Sequence, residues 1–343
     1  MFSKKNNFPF MIKYLKELIY INCPLCNQDN TTLVGTGSRG GLKIKSVICN
    51  SCSLIYLNPK PTPKTYTEFY AIGDYRRFLN IVKKKVSSDN IDNFLSDEKF
   101  NKRKQDGKKI ASIYFSEILS DKDLFFDFGC DTGGILAGVQ EECNCNIMGN
   151  EPSQPCANYI KDKLGIHILN CTMENIKGKD KDRFKGKVKL ASIIGTLEHV
   201  NNPVSCLKIA YDMLQDNGYL YIESFDILKR IEIKKECMDD AATIDHQYYF
   251  HKDVYEYMLA LNNFEIIKFH SMGSSGRMMN VLAIKRKSLN QNIKYSPENI
   301  IQKVKDFNEH SNEHKKSLKY MISRISNSII IQIKLIIRKL LKR

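Results

Sequence analysis

Leu124-Phe125-Phe126-Asp127-Phe128-Gly129-Cys130-Asp131-Thr132-Gly133-Gly134 is the stretch on which the reading of this chain turns. Four of the five residues from Leu124 to Phe128 are large and apolar, the pattern of a strand buried on both faces of a parallel sheet. The run then breaks into a glycine-bearing loop, and residues 135–142 read as a helix. Strand, loop and helix make the first half of a nucleotide-binding βαβ unit. Gly129 and Gly133 let the backbone approach a ligand, and the helix start presents unpaired N–H groups. A dinucleotide site would show Gly-x-Gly-x-x-Gly. The order here is Asp-x-Gly-x-Asp-x-Gly-Gly, which counts against NAD.

Working outward, residues 146–151 read as a second strand, followed by Pro152-Ser153 and a helix to Leu164. Glu151 stands about 20 residues past the glycine loop, at the strand end where one carboxylate accepts from both hydroxyls of a ribose. Residues 167–170 read as a third strand and 189–196 as a fourth, which runs into Leu197-Glu198-His199-Val200 and Asn202-Pro203. A helix over 204–214 is expected to end in the cap turn Asp216-Asn217-Gly218. A strand over 219–224, the segment Asp245-His246-Gln247-Tyr248-Tyr249-Phe250, a helix over 251–261 and strands over 264–270 and 278–285 complete the pattern. On the amino-terminal side a helix over 102–119 precedes the opening strand, and the charged residues 74–110 read as helices covering the ligand site.

Further upstream lie Cys23-Pro-Leu-Cys26 and Cys49-Asn-Ser-Cys52. Two Cys-x-x-Cys knuckles at this separation read as a zinc ribbon, in which four thiolates close a tetrahedral site, with two redox pairs or chance spacing as the alternative. Such a site has no open position, so its zinc is structural. The remaining cysteines show no comparable pairing and are expected as free thiols in a reducing cytosol. No ligand set in the sequence announces a catalytic cation.

Several of these stretches resemble class I S-adenosylmethionine (SAM) dependent methyltransferases. The loop Asp127-x-Gly129-x-Asp131-x-Gly133 is similar to the first motif of that family, with Asp131 where the family carries its middle glycine. Asp tolerates positive φ better than most residues, so the loop is expected to keep its shape. Gly149-Asn-Glu151-Pro-Ser153 and Leu197-Glu-His-Val200 with its following Asn-Pro are further matches. A ribbon leading into Leu54-Ile-Tyr-Leu-Asn-Pro and Phe69-Tyr70 resembles the start of bacterial methyltransferases acting on small molecules and on surface-polysaccharide sugars. The resemblance covers about residues 21–75 and 100–287. It implies an α/β fold, a Rossmann-like seven-stranded sheet with an N-terminal zinc ribbon and a C-terminal helical tail. It implies SAM as cofactor, held by Asp127, Gly129, Asp131, Gly133 and Glu151, with Thr172 and Met173 near adenine and Gly195 and Thr196 beside the methionine part. His246, supported by Asp245, is the candidate general base, with helix capping and aromatic packing as the structural alternative. His199 is expected to position the acceptor or to be structural.

The expected organisation is an N-terminal helix over 1–20, a zinc ribbon over 21–60, linker and lid helices over 61–110, a SAM-binding domain over 111–287 and a basic helical tail over 288–343. The charges Lys13, Lys16 and Glu17 spoil a signal-peptide core, so a cytoplasmic location is expected. Net charge is +15, but the basic residues are spread along the chain and carry little weight until they cluster. They cluster in the tail, where Ile329, Ile333, Ile336, Ile337 and Leu340 share a helical face while Lys334, Arg338, Lys339 and Lys342 lie elsewhere. That pattern fits peripheral contact at the inner face of a membrane, or docking on the body or on a second copy in a homo-oligomer. The expected partner is a small-molecule or glycan acceptor. Zinc with positive charge also raises an RNA methyltransferase, but no Asn-Pro-Pro-Tyr type motif follows the fourth strand, which disfavours nucleic acid. A SAM-fold scaffold without catalysis is the remaining alternative.

Overall fold

The computed structural model describes residues 9–39, 42–82, 95–272, 277–289 and 297–316. A 3-10 turn, Pro9–Leu15, leads into β1 (Leu18–Ile19), then β2 (Thr31–Gly35), β3 (Ser46–Cys49), β4 (Ile55–Leu57) and β5 (Lys60–Pro61). The helix expected over 1–20 is therefore no more than this short turn within the described residues, because Leu18 and Ile19 pair with Pro61 and Lys60 as extended chain. Strands β2, β3 and β4 form an antiparallel meander. Its cysteines sit on two equivalent turns: Asn27 N donates to Cys23 O and Ser53 N donates to Cys49 O, each at 2.8 Å. The residue after each second cysteine, Asn27 and Ser53, takes a left-handed φ of 59° and 51°.

Three helices follow, α1 (Pro63–Ala71), α2 (Asp74–Val82) and α3 (Asp97–Tyr114). Thr62 and Ser96 cap α1 and α3 by accepting from Thr65 N and Lys99 N. That Ser96 cap starts α3 five residues before the expected Lys102. The α/β series is β6 (Leu124–Phe128), α4 (Gly134–Cys143), β7 (Asn146–Asn150), α5 (Gln154–Leu164), α6 (Lys179–Phe184), β8 (Val188–Ile194), α7 (Pro203–Met213) and β9 (Leu214–Phe225). It continues through α8 (Ile227–Lys234), α9 (Met238–Ala241), β10 (Tyr248–Tyr249), α10 (Lys252–Leu261), β11 (Phe264–Met272), β12 (Met278–Lys285) and α11 (Pro297–Lys316).

The large sheet runs in the order β11-β12-β9-β8-β6-β7, parallel from β7 to β9 and antiparallel at β12 and β11. It has six strands where seven were expected. Residues 167–170 contribute only one parallel bridge, Leu169 to Asn150, because this edge segment is half-exposed and has one neighbour to bond. The central strands are buried on both faces: Phe125, Phe126, Phe128, Leu190, Ala191 and Ile193 have no exposed surface. On one face α3 lies almost in contact with α4. A Cβ on Gly138 would meet Lys104 O at 2.2 Å, so the glycine is what permits that approach. The expected cap turn Asp216-Asn217-Gly218 lies inside β9, since the chain is already extended at Leu214 (φ −68°, ψ 137°) and pairs there with Val188.

On the opposite face the cysteine segment and the α/β segment share one core, in which Cys52, Leu54 and Tyr56 pack with Tyr248, Phe250 and Tyr255. They also share a sheet: β10 adds to β4, with Tyr248 opposite Tyr56 and Tyr249 opposite Ile55. Among the described residues no helix is long and apolar enough to cross a membrane. The amphipathic stretch 329–343 lies outside the described residues.

Candidate active site

A cavity of about 500 Å³ opens at the carboxyl ends of β6, β7 and β8, beneath α1 and α2. This is where an open α/β sheet binds ligands, since the strand order reverses across β6 and β8. Asp127, Gly129, Asp131, Glu151, Thr172, Met173, Gly195 and Thr196 all line it, as do His199 and His246. Gly133 does not. It stands at the N-terminus of α4 with φ 77°, where a Cβ would lie 2.9 Å from Ile160 Cγ1, so its work is helix packing. Gly129 is also left-handed, at φ 74°, and a Cβ there would strike Thr196 Oγ1 at 2.5 Å. The two strand ends can close on each other only because residue 129 has no side chain.

Glu151 is buried, and its two oxygens accept from the backbone N–H groups of Asp131 and Ser153, each at 3.0 Å. Burial, reinforced by the Asp131 charge, raises its carboxyl to about 7. A donor pair such as a ribose diol supplies what a buried carboxylate lacks. Two further features fit a nucleoside ligand: Asn150 Oδ1 is buried on the cavity wall without a hydrogen-bond partner, and nothing lies within 4 Å of where a side chain on Gly195 would stand. Asp127, by contrast, is committed to Ser192 Oγ at 2.5 Å, and burial pushes it up to about 7.

Asp131 adopts the left-handed φ of 50° that the family's glycine would take. Its carboxylate is bound by Arg76 of α2 and by Lys99 Nζ of α3 at 2.6 Å. Burial pushes this acid up, yet the Arg76 and Lys99 cations outweigh that and hold it down to about 2. Asp131 is therefore the point at which α2 and α3 are fastened to the glycine loop. Sequence reading placed lid helices over 74–110 but singled out neither Arg76 nor Lys99, because nothing in a charged helix marks which cation turns inward.

At the other end of the cavity, α1 is clasped to the segment before β10. Tyr66 Oη donates to Ile244 O at 3.1 Å, and Tyr70 Oη donates to Asp245 O at 3.1 Å. His199 Nδ1 lies 2.6 Å from the same Asp245 carbonyl and 2.8 Å from Tyr70 Oη. A carbonyl only accepts, so the proton is on Nδ1 and the Nε2 lone pair is free. The His246 ring stands perpendicular to that of His199, with centroids 4.7 Å apart. Burial lowers His246 to about 3, against the pull of Asp245 Oδ2 at 3.8 Å from Nε2, so the ring is neutral at ordinary pH.

The sulfurs of Cys23, Cys26, Cys49 and Cys52 all lie within 4.8 Å of one another, and the pairs Cys23–Cys52 and Cys26–Cys49 are 3.4 Å apart. Four thiolates at about 2.3 Å from a tetrahedral zinc are roughly 3.8 Å apart, within that span. The residues therefore fit a closed four-thiolate metal site, remote from the cavity lining.

A family model described as a methyltransferase domain matches residues 103–268. A ubiquinone biosynthesis O-methyltransferase of Shewanella pealeana is 28% identical over 109 residues, 29% of this chain and 42% of that protein. The chain thus spans less than half the length of this relative. Among solved structures, a 1,6-didemethyltoxoflavin-N1-methyltransferase of Burkholderia thailandensis, bound to its namesake and S-adenosylhomocysteine, is 12% identical with a TM-score of 0.47, over 68% of this chain and 96% of its own. A SAM-dependent methyltransferase of Methanosarcina mazei is 14% identical with a TM-score of 0.40, over 49% and 95%. Residues 103–268 are thus similar to a methyltransferase domain, and they span most of the mainly parallel α/β sheet whose strand ends form the cavity.

Proposed function

We propose that this chain transfers the methyl group of SAM to a hydroxyl of a small acceptor, a sugar of a surface glycan or its precursor being the first candidate. The observation that carries the reading is that one cavity at the strand ends holds both Glu151 and the pair His199 and His246. The curated relative supports oxygen as the atom methylated.

Glu151 would accept from the ribose hydroxyls, while the open space beside Gly195 leaves room for the methionine part. SAM supplies, when bound, a methyl group on a sulfonium that is its own leaving group. The chain's task is then alignment and exclusion of water. Tyr70 and Tyr75 form an aromatic cover over His199, with ring centroids 5.8 and 5.5 Å from it. His246 is the proton acceptor first in line. A ring held down to about 3 is always unprotonated at neutral pH, yet it is a weak base for a hydroxyl. The four cysteines would hold one structural zinc that closes the two cysteine turns of the β2–β4 meander on each other.

Calorimetric titration with SAM, then radiolabelled methyl transfer to nucleotide sugars and to RNA, tests this reading. Micromolar SAM binding with label on a sugar oxygen is the expected result. A chain that binds no SAM, or that labels RNA alone, refutes it.

A further inference from the structure

Glu198, His199 and His246 offer one ligand atom each, and all three atoms lie within 4.8 Å of one another on the wall of the cavity. Glu198 and His199 sit in the 3-10 turn Leu197–His199 directly after β8, and His246 comes from the segment before β10. Two separated pieces of chain thus converge on one point. The carboxylate gives the independent sign of a ligand. Glu198 is only 5% exposed, and its Oε2 is buried without any hydrogen-bond partner. An acceptor stripped of water and left unpaired is costly, and more so if charged, so such an atom normally has a partner.

The histidines are arranged as ligands are. Nδ1 of His199 donates to the Asp245 carbonyl, which fixes the tautomer that leaves Nε2 unprotonated. Metal-bound histidines characteristically donate their other N–H to a carbonyl or carboxylate in this way. Among the described residues no hydrogen bond engages the His246 ring, and Asp245 Oδ2 stands near its Nε2. Both rings are half-buried and open to the cavity, so a fourth position stays available.

We propose that Glu198, His199 and His246 form a second metal site, which binds one divalent first-row transition-metal ion at the acceptor end of the cavity. Two imidazoles and one carboxylate with an open position are the donor set of such cations in catalytic sites, unlike the closed thiolate set of the four cysteines. The role of the ion rests on the methyltransferase reading above. With His246 held as a ligand, the ion replaces it in activating the acceptor: it would bind the hydroxyl through oxygen and lower its pKa. The hydroxyl proton leaves to water. The new O–CH₃ bond forms as the C–S bond of the sulfonium breaks, its electron pair staying on sulfur.

The test uses the full chain with its thiolate site filled by zinc. Mn²⁺ is titrated in and the loss of the free Mn²⁺ electron paramagnetic resonance signal is followed; Mn²⁺ prefers imidazole and carboxylate to thiolate. The wild type should bind about one Mn²⁺ per chain, and Glu198→Gln and His246→Asn should each weaken it at least about tenfold. The zinc content and SAM affinity of both variants, measured alongside, report that they are folded and that the SAM site stands. No Mn²⁺ binding by the wild type, or equal binding by folded variants, overturns the proposal. Failure of SAM binding with Mn²⁺ binding intact would instead overturn the methyltransferase reading and leave the metal site standing.

Discussion

Asp131→Asn isolates the charge that fastens α2 and α3 to the glycine loop. Asparagine is nearly isosteric and tolerates the φ of 50°, so the loop should keep its path while Arg76 and Lys99 lose their counter-charge. The carboxyl is held down to about 2 from an ordinary 3.8, and each pKa unit is about 1.4 kcal/mol, so the charge contributes roughly 2–3 kcal/mol at neutral pH. The side chain is 24% exposed, so solvent screening removes little of this. The sign follows from the depressed pKa. The contribution is fully present above the unfolded value near 3.9 and is lost as pH falls through 2, with about half left at pH 3. Urea unfolding of wild type and Asp131→Asn at pH 7 should therefore differ by roughly 2–3 kcal/mol, and at pH 3 by about half as much. In a double-mutant cycle with Arg76→Gln the two losses should be clearly less than additive. Equal stabilities at pH 7 would refute the reasoning. They would mean that taking three charges out of water cancels their mutual attraction.

Other outcomes follow from the same geometry. Glu151→Ala should weaken SAM binding by about 1.5–3 kcal/mol, the loss of charge-assisted hydrogen bonds; unchanged affinity by calorimetry would move the ribose clamp elsewhere. Because Glu151 is raised to about 7, wild-type SAM affinity should fall up to about tenfold from pH 8 to pH 6, and Glu151→Gln should flatten that profile. Cys23→Ser should release the zinc, about one per chain, and lower the melting temperature, since this segment shares a sheet with β10 of the α/β part of the chain. A purified wild type without zinc contradicts the four-thiolate site. Truncation after Asn327 should abolish co-sedimentation with anionic liposomes and not change SAM binding, each removed Lys or Arg near an anionic surface being worth about 1 kcal/mol. Equal sedimentation of both forms sends the tail to the body or to a second copy.

Most strands of the large sheet, and the strand ends that line the cavity, were legible in the sequence. A strand buried on both faces must be almost wholly apolar, as Leu124–Phe128 and Val188–Ile194 are, and such runs are legible without coordinates. The sequence likewise placed Glu151 and the glycine loop together, because a short βαβ unit fixes the distance between them. Paired knuckles announced Cys23, Cys26, Cys49 and Cys52, because two tight turns bring their sulfurs together. Contacts between distant segments had no such local signature. The single bridge at Leu169, the addition of β10 to β4 and the inward turn of Arg76 onto Asp131 depend on what lies across the fold. The convergence of Glu198 and His199 on His246 is of the same kind. In the sequence these are separated residues, and only the folding of the β10 segment against the end of β8 leaves one carboxylate oxygen buried, unpaired and beside two imidazoles.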